Sequence, residues 1–185
     1  MVPLDLAYAE AKAALLGALA DAGEAAWDRP VPATPVWRVR DVVAHVTGIA
    51  VDGASGTFIP GLNLLEQFRD DSVVRARDAY ADETVESRRG QAWGDVLAEW
   101  DAAEPQLLAR LSADCPPDKR FALGLDVVTV TDLCVHTDDV AGALGLPPRR
   151  GSAAAGVALA GYCFGVDYRI RALGLPALGR ALRRT

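Results

Sequence analysis

Histidine is scarce in this sequence: among 185 residues only His45 and His136 carry an imidazole. Cysteine is nearly as rare. Cys115, Cys134 and Cys163 are odd in number and too widely spaced for a CxxC pair, which argues against a disulfide framework and against a thiolate zinc site. They read as small core residues. Basic residues are outnumbered, 19 Lys and Arg against 25 Asp and Glu, for a net charge of −6. Binding to a polyanion needs clustered cations that displace counterions, so nucleic acid is not the expected partner. Arg169, Arg171, Arg180, Arg183 and Arg184 do gather near the C-terminus, but such a short tail reads as a solvated helix end. No apolar run is long enough for a bilayer: the longest, Ala153 to Val166, falls short of roughly 20 residues and is closed by Asp167. The N-terminus has no basic stretch before an apolar core and carries Asp5 and Glu10 instead, unlike a signal peptide. A cytoplasmic protein without membrane contact is expected.

What is present is helix-forming, apolar sequence. Hydrophobic residues make up 51% of the chain, enough to bury one sizeable core, and the length fits one domain spanning 1–185 with no second C-terminal domain. Leu6, Ala9, Ala13, Leu16 and Leu19 recur at helical spacing and predict a first helix from about Leu4 to Ala22. Pro30, Pro32 and Pro35 then predict an extended connector. Val39, Val42, Val43, Val46 and Ile49 mark a second helix from about Arg38 to Thr57, with His45 inside the apolar stripe. Between Pro60 and Asp82 the pattern is mixed and fits either a short helix or an ordered loop. A long third helix is predicted from about Thr84 to Leu111, a fourth from Leu125 or Asp126 to about Leu144, and a fifth from about Ser152 to Leu173. No run alternates at strand period. The expected class is all-α, an antiparallel four-helix bundle with an additional C-terminal helix.

Both histidines fall on predicted helices. Asp132 and His136 are four residues apart, so their Cβ atoms lie about 5–6 Å from each other on one helix face. A facing helix would add His45, giving two imidazoles and a carboxylate with positions left open for water or substrate. On spacing alone this pattern is much less specific than a Cys and His zinc motif. A packed histidine is the simpler reading of either one.

The flanking words add specificity. WRVRDVVAHVTG from Trp37 to Gly48, RRGQAWGDVLAEW from Arg88 to Trp100, and DLCVHTDDVAGALGLP from Asp132 to Pro147 stand in the order seen in one family. Together they resemble the mycothiol-dependent maleylpyruvate isomerase family, a branch of the DinB-like superfamily. The resemblance implies a DinB-like bundle in which His45 and His136 match the family's two histidine ligands. Asp132 stands where that family usually has Glu, one methylene longer. The implied cofactors are a divalent metal (zinc first, with nickel, iron or manganese as alternatives) and mycothiol or a similar thiol. The implied activity is a thiol-dependent transferase or isomerase acting on a small electrophilic substrate, in a monomer or homodimer. Two other readings stay open: a metal-dependent hydrolase, and a non-catalytic helical binding or stress-response module.

Other residues admit two readings each. Asp41 would orient the free nitrogen of His45 or complement the helix dipole. Asp139 would support or replace a ligand, or share solvent with Asp138. Arg88 and Arg89 would grip a carboxylate of the thiol cofactor, or form salt bridges. Trp37, Trp93 and Trp100 read as packing.

Overall fold

The computed structural model describes residues 2–57, 71–116, 118 and 125–161. The described chain is all-α. Helix α1 (Leu4–Ala22) stops where Gly23 turns to φ 72° and donates its N–H to the Leu19 carbonyl. Helix α2 (Val39–Ser55) begins at a capping interaction: the Arg38 N–H donates to Asp41 Oδ2 at 2.8 Å. It ends at Gly56, in the left-handed region at φ 77°. Among the described residues there follow helix α3 (Asp71–Glu86), α4 (Trp93–Leu111), α5 (Leu125–Leu144) and α6, described over 153–161.

Two sequence expectations are corrected. The single helix expected from Thr84 to Leu111 is two, because the chain turns after Glu86 and Gly90 adopts φ 85°, which breaks the helical hydrogen-bond ladder. Part of the mixed Pro60 to Asp82 segment is thereby resolved: from Asp71 onward it is α3. The connector is not simply extended either. It holds a 3₁₀ turn, Glu24–Asp28, followed by a closed loop. Val31 N–H reaches the Trp37 carbonyl at 3.0 Å and Val39 N–H the Arg29 carbonyl at 3.0 Å. Local turn bonds win over the prolines' extended preference, and the loop delivers Trp37 to the start of α2. The part of the fifth expected helix beyond residue 161 lies outside the described residues.

Helix α2 sits centrally, against α3, α4 and α5, while α1 packs on α4 and α5. Its valines explain this. Val39, Val42, Val43 and Val46 are buried together with Leu15 of α1, Trp100 and Leu107 of α4, and Val130 and Leu133 of α5. Each large apolar side chain buried in this way contributes about 1.5–3 kcal/mol. Two of the larger polar groups inside the core are paired: Trp100 Nε1–H donates to the Tyr8 hydroxyl at 2.8 Å, and buried Lys12 donates to Asp101 and Glu104 at 2.7 and 2.9 Å. Helices α2 and α3 run antiparallel, since His45 faces Thr84 while Asp52, seven residues on, faces Tyr80.

Candidate metal centre

The apolar stripe that buries α2 also carries His45 inward, to 4% exposure. On α5, Asp132 and His136 point at the same place. One ligand atom from each of His45, Asp132 and His136 can be chosen so that all lie within 4.8 Å of one another. His45 Nε2 is 3.4 Å from Asp132 Oδ2, and His136 Nε2 is 3.8 Å from Asp132 Oδ1. The two imidazole rings meet edge to face, with centroids 5.2 Å apart.

Each ring is held by its other nitrogen. The Thr84 hydroxyl donates to the Ala81 carbonyl at 2.6 Å, which commits its only proton. At 3.0 Å from the same oxygen, His45 Nδ1 must then be the donor, and Nε2 is left with its lone pair toward Asp132. His136 Nδ1 is likewise 3.0 Å from Asp139 Oδ2, an acceptor, so its Nε2 also faces the centre unprotonated when the ring is neutral. The structure thus supplies each histidine with an outer partner of the kind that holds a metal-ligating imidazole in one tautomer.

Asp132 Oδ2 is buried and accepts no hydrogen bond from the described residues. An orphaned carboxylate oxygen is costly unless a cation or proton stands beside it. Burial by itself would raise the Asp132 carboxyl, but the imidazoles of His136 and then His45 outweigh burial and hold it below the usual carboxylate range. His136 shows the complement: burial would lower it, yet Asp132 and Asp139 prevail and raise it. A tetrahedral ion with ligands at about 2.0–2.2 Å keeps them about 3.4 Å apart. The donor set, its spacing and the orphaned oxygen all fit a divalent ion of borderline softness.

The remaining sequence candidates fall elsewhere. Asp41 caps α2 and is not bonded to His45; Thr84 fills that role. Asp138 accepts the Arg149 N–H at 3.4 Å. Arg88 turns its fork onto Glu99, with Nε to Oε2 at 2.9 Å and Nη2 to Oε1 at 2.7 Å, and Arg89 pairs with exposed Glu86. Both arginines line a cleft of about 910 Å³ whose described lining does not include the His, Asp, His cluster. Trp37 does more than pack: its ring lies 5.0 Å from that of His45 and 5.9 Å from that of His136. Thr84 carried no sequence signal, because its role depends on α3 folding back across α2. Trp37 did carry one, its position just before the histidine helix.

Fold and site define a helical-bundle protein with a partly buried two-histidine, one-carboxylate cluster. Residues 8–141 match the mycothiol maleylpyruvate isomerase N-terminal domain family, and the chain belongs to it. No curated protein and no solved structure matches the chain. No described helix is long and apolar enough to cross a membrane.

Proposed function

We propose that this protein is a divalent-metal-dependent enzyme that uses a low-molecular-weight thiol of the mycothiol kind to transfer to, or isomerise, a small electrophile. The observation that carries this reading is the convergence of His45 Nε2, His136 Nε2 and the Asp132 carboxylate, each ring being fixed by a partner outside the cluster. A divalent ion, zinc first and nickel, iron or manganese as alternatives, would supply the positive charge that keeps a thiol as thiolate at neutral pH. His45 and His136 would hold it through nitrogen lone pairs, and Asp132 would offset one of its charges.

The chain's residues also favour a nucleophile from outside the chain. Cys134, two residues from Asp132, is buried, and burial before the nearby Asp138 charge pushes its thiol up to about 11. Such a thiol is a poor nucleophile, which supports an external one. Its path would lie beside Asp132, whose side chain remains 25% exposed against 5% for His45 and 12% for His136. The Trp37 ring lies against both imidazoles. Addition of the thiolate to an electrophilic carbon followed by its release gives isomerisation, and addition alone gives S-transfer.

The test is elemental analysis of protein purified without chelator or nickel affinity resin. About one divalent ion per chain is expected, and none in the His45→Ala, His136→Ala double variant. Undiminished metal in that variant refutes the site. Turnover of an electrophile that proceeds equally well without added thiol refutes thiol dependence and points to a hydrolase.

A further inference from the structure

The support of His45 continues beyond Thr84. Thr84 lies in the last turn of α3, and its carbonyl accepts hydrogen bonds from Ser87 Oγ at 3.0 Å and Arg88 Nη1 at 3.1 Å. The other two nitrogens of the Arg88 guanidinium fork onto Glu99 of α4. We propose that Arg88, anchored by Glu99, is a positioning residue for His45 that acts through Thr84. Gly48 is the gap in α2 that lets this happen. The inference rests on the metal-site reading above.

Geometry at Gly48 makes the coupling specific. A Cβ at this position would stand 2.7 Å from both Cβ and Cγ2 of Thr84 and 3.0 Å from Arg88 Nη1. Helix α3 therefore approaches α2 as closely as a bare backbone allows, one turn beyond His45. The same contact brings the Thr84 hydroxyl to His45 Nδ1 and seats the guanidinium over α2. The Arg88 side chain is only 9% exposed, and all three of its nitrogens are committed, two to Glu99 and one to the Thr84 carbonyl. A bidentate Arg–carboxylate pair is directional, unlike a Lys point charge, so it fixes the angle of the turn that carries Thr84 as well as its distance. Loosening that turn shifts the acceptor on which the His45 tautomer depends. The guanidinium of Arg88 is thereby committed to partners within the chain.

The two-histidine composition makes the test clean. In metal-free protein labelled with ¹⁵N-histidine, and in alkaline buffer where both rings are neutral, the spectrum contains two imidazoles only. Wild type should show His45 protonated on Nδ1. Thr84→Val and Arg88→Met should each move His45 toward a mixture of tautomers while leaving His136 unchanged. Added Zn²⁺ should bind about 10–100-fold more weakly to either variant, as expected when an outer partner of a ligand is lost. Thr84→Ser should restore wild-type affinity. The double variant should bind no more weakly than Thr84→Val alone, because both changes act along one path. If Arg88→Met does not fold, Glu99→Gln releases half the fork with little change in volume and is read in the same way. A His45 tautomer unchanged in Arg88→Met or Glu99→Gln would overturn the proposal and leave Arg88 as a staple between α3 and α4. Since the tautomer is read without metal, a wild-type protein that binds no Zn²⁺ would refute the metal site while the tautomer result still decides this coupling.

Discussion

His45 Nε2 stands 3.4 Å from Asp132 Oδ2, across the seam between α2 and α5, while the other oxygen of the same carboxylate stands 3.8 Å from His136 Nε2. One anion is thus divided between two imidazoles that each present a lone pair to it. Two lone pairs and an anion repel unless a positive charge joins them. A proton on an imidazole supplies it in the metal-free state, and a divalent ion would supply it more fully. A proton and a divalent ion would therefore compete for the site.

That competition gives stability a pH dependence with a definite sign. His136 is raised in the folded protein, so its stabilising contribution is complete below the ordinary histidine value of 6.5 and fades as pH rises through the folded value. Asp132 is lowered, so its contribution is complete above the ordinary carboxyl value of 3.8 and fades as pH falls through the folded value. The site's contribution to the metal-free protein should be greatest between those two values. Melting temperature of the chelated protein should fall between pH 6 and pH 8, and adding Zn²⁺ should reverse the trend, since metal binds the neutral rings. In Asp132→Asn the fall should shrink. A chelated wild type whose melting temperature falls no more than that of Asp132→Asn would show that these groups do not interact as described.

Removing the metal should leave the fold intact. The core around α2 is built from Val39, Val42, Val43, Leu15, Trp100, Leu107 and Leu133, none of which is a ligand. Chelation should then cost only the linkage term that binding adds, about 2.7 kcal/mol at an ion concentration 100 times Kd. Helical circular dichroism measured after exhaustive chelation should keep its native amplitude. Loss of the helical signal at room temperature would make the ion structural and weaken the case for catalysis.

Sequence alone located the triad but not its supports. Asp132 and His136 were legible because helical periodicity puts i and i+4 on one face, and His45 because it interrupts a run of valines. Thr84 was not, because its contact with His45 spans 39 residues and depends on the bare surface at Gly48. Neither end of such a contact has a local signature. The break between α3 and α4 was missed for a related reason: Val85 and Trp93 keep helical spacing through the turn, and only the backbone at Gly90 reveals that the axis changes. Arg88 was visible as a charge in a family word, but a cation next to a site suits a ligand as well as a neighbouring Glu. Choosing between them required the position of Glu99.

Cys134 offers a check on the source of the nucleophile. With its thiol pushed up to about 11 by burial, it should be almost wholly protonated at pH 7.5 and shielded from reagents. Peptide mapping after brief iodoacetamide treatment of native protein should find Cys134 unmodified, with full labelling only in denaturant. Cys134→Ala should retain both metal and thiol-dependent turnover. Turnover abolished in a folded Cys134→Ala variant would mean that the chain supplies its own thiolate after all.

The last prediction concerns the arm of Asp132. The family usually has Glu at this position, and the simplest expectation would be that Asp132→Glu repairs a weakened site. Distances argue otherwise. Ligands of a tetrahedral ion lie about 3.4 Å apart, and the short Asp already stands 3.4 Å from one imidazole and 3.8 Å from the other. An added methylene would have to be absorbed where Oδ2 is already buried, or else swing the carboxylate toward the exposed edge and away from His45. Asp132→Glu should therefore bind Zn²⁺ no more tightly than wild type, whereas Asp132→Asn, which keeps the shape and removes the charge, should bind it at least about 100-fold more weakly, beyond the range of outer-shell changes. Isothermal titration with Zn²⁺ on the chelated proteins distinguishes the outcomes. Tighter binding by the Glu variant would show that the helices have kept the spacing suited to the longer residue. Equal affinity among Asp, Asn, Glu and Ala at this position would remove Asp132 from the ligand set and leave Asp139, now bonded to His136, as the carboxylate to test next.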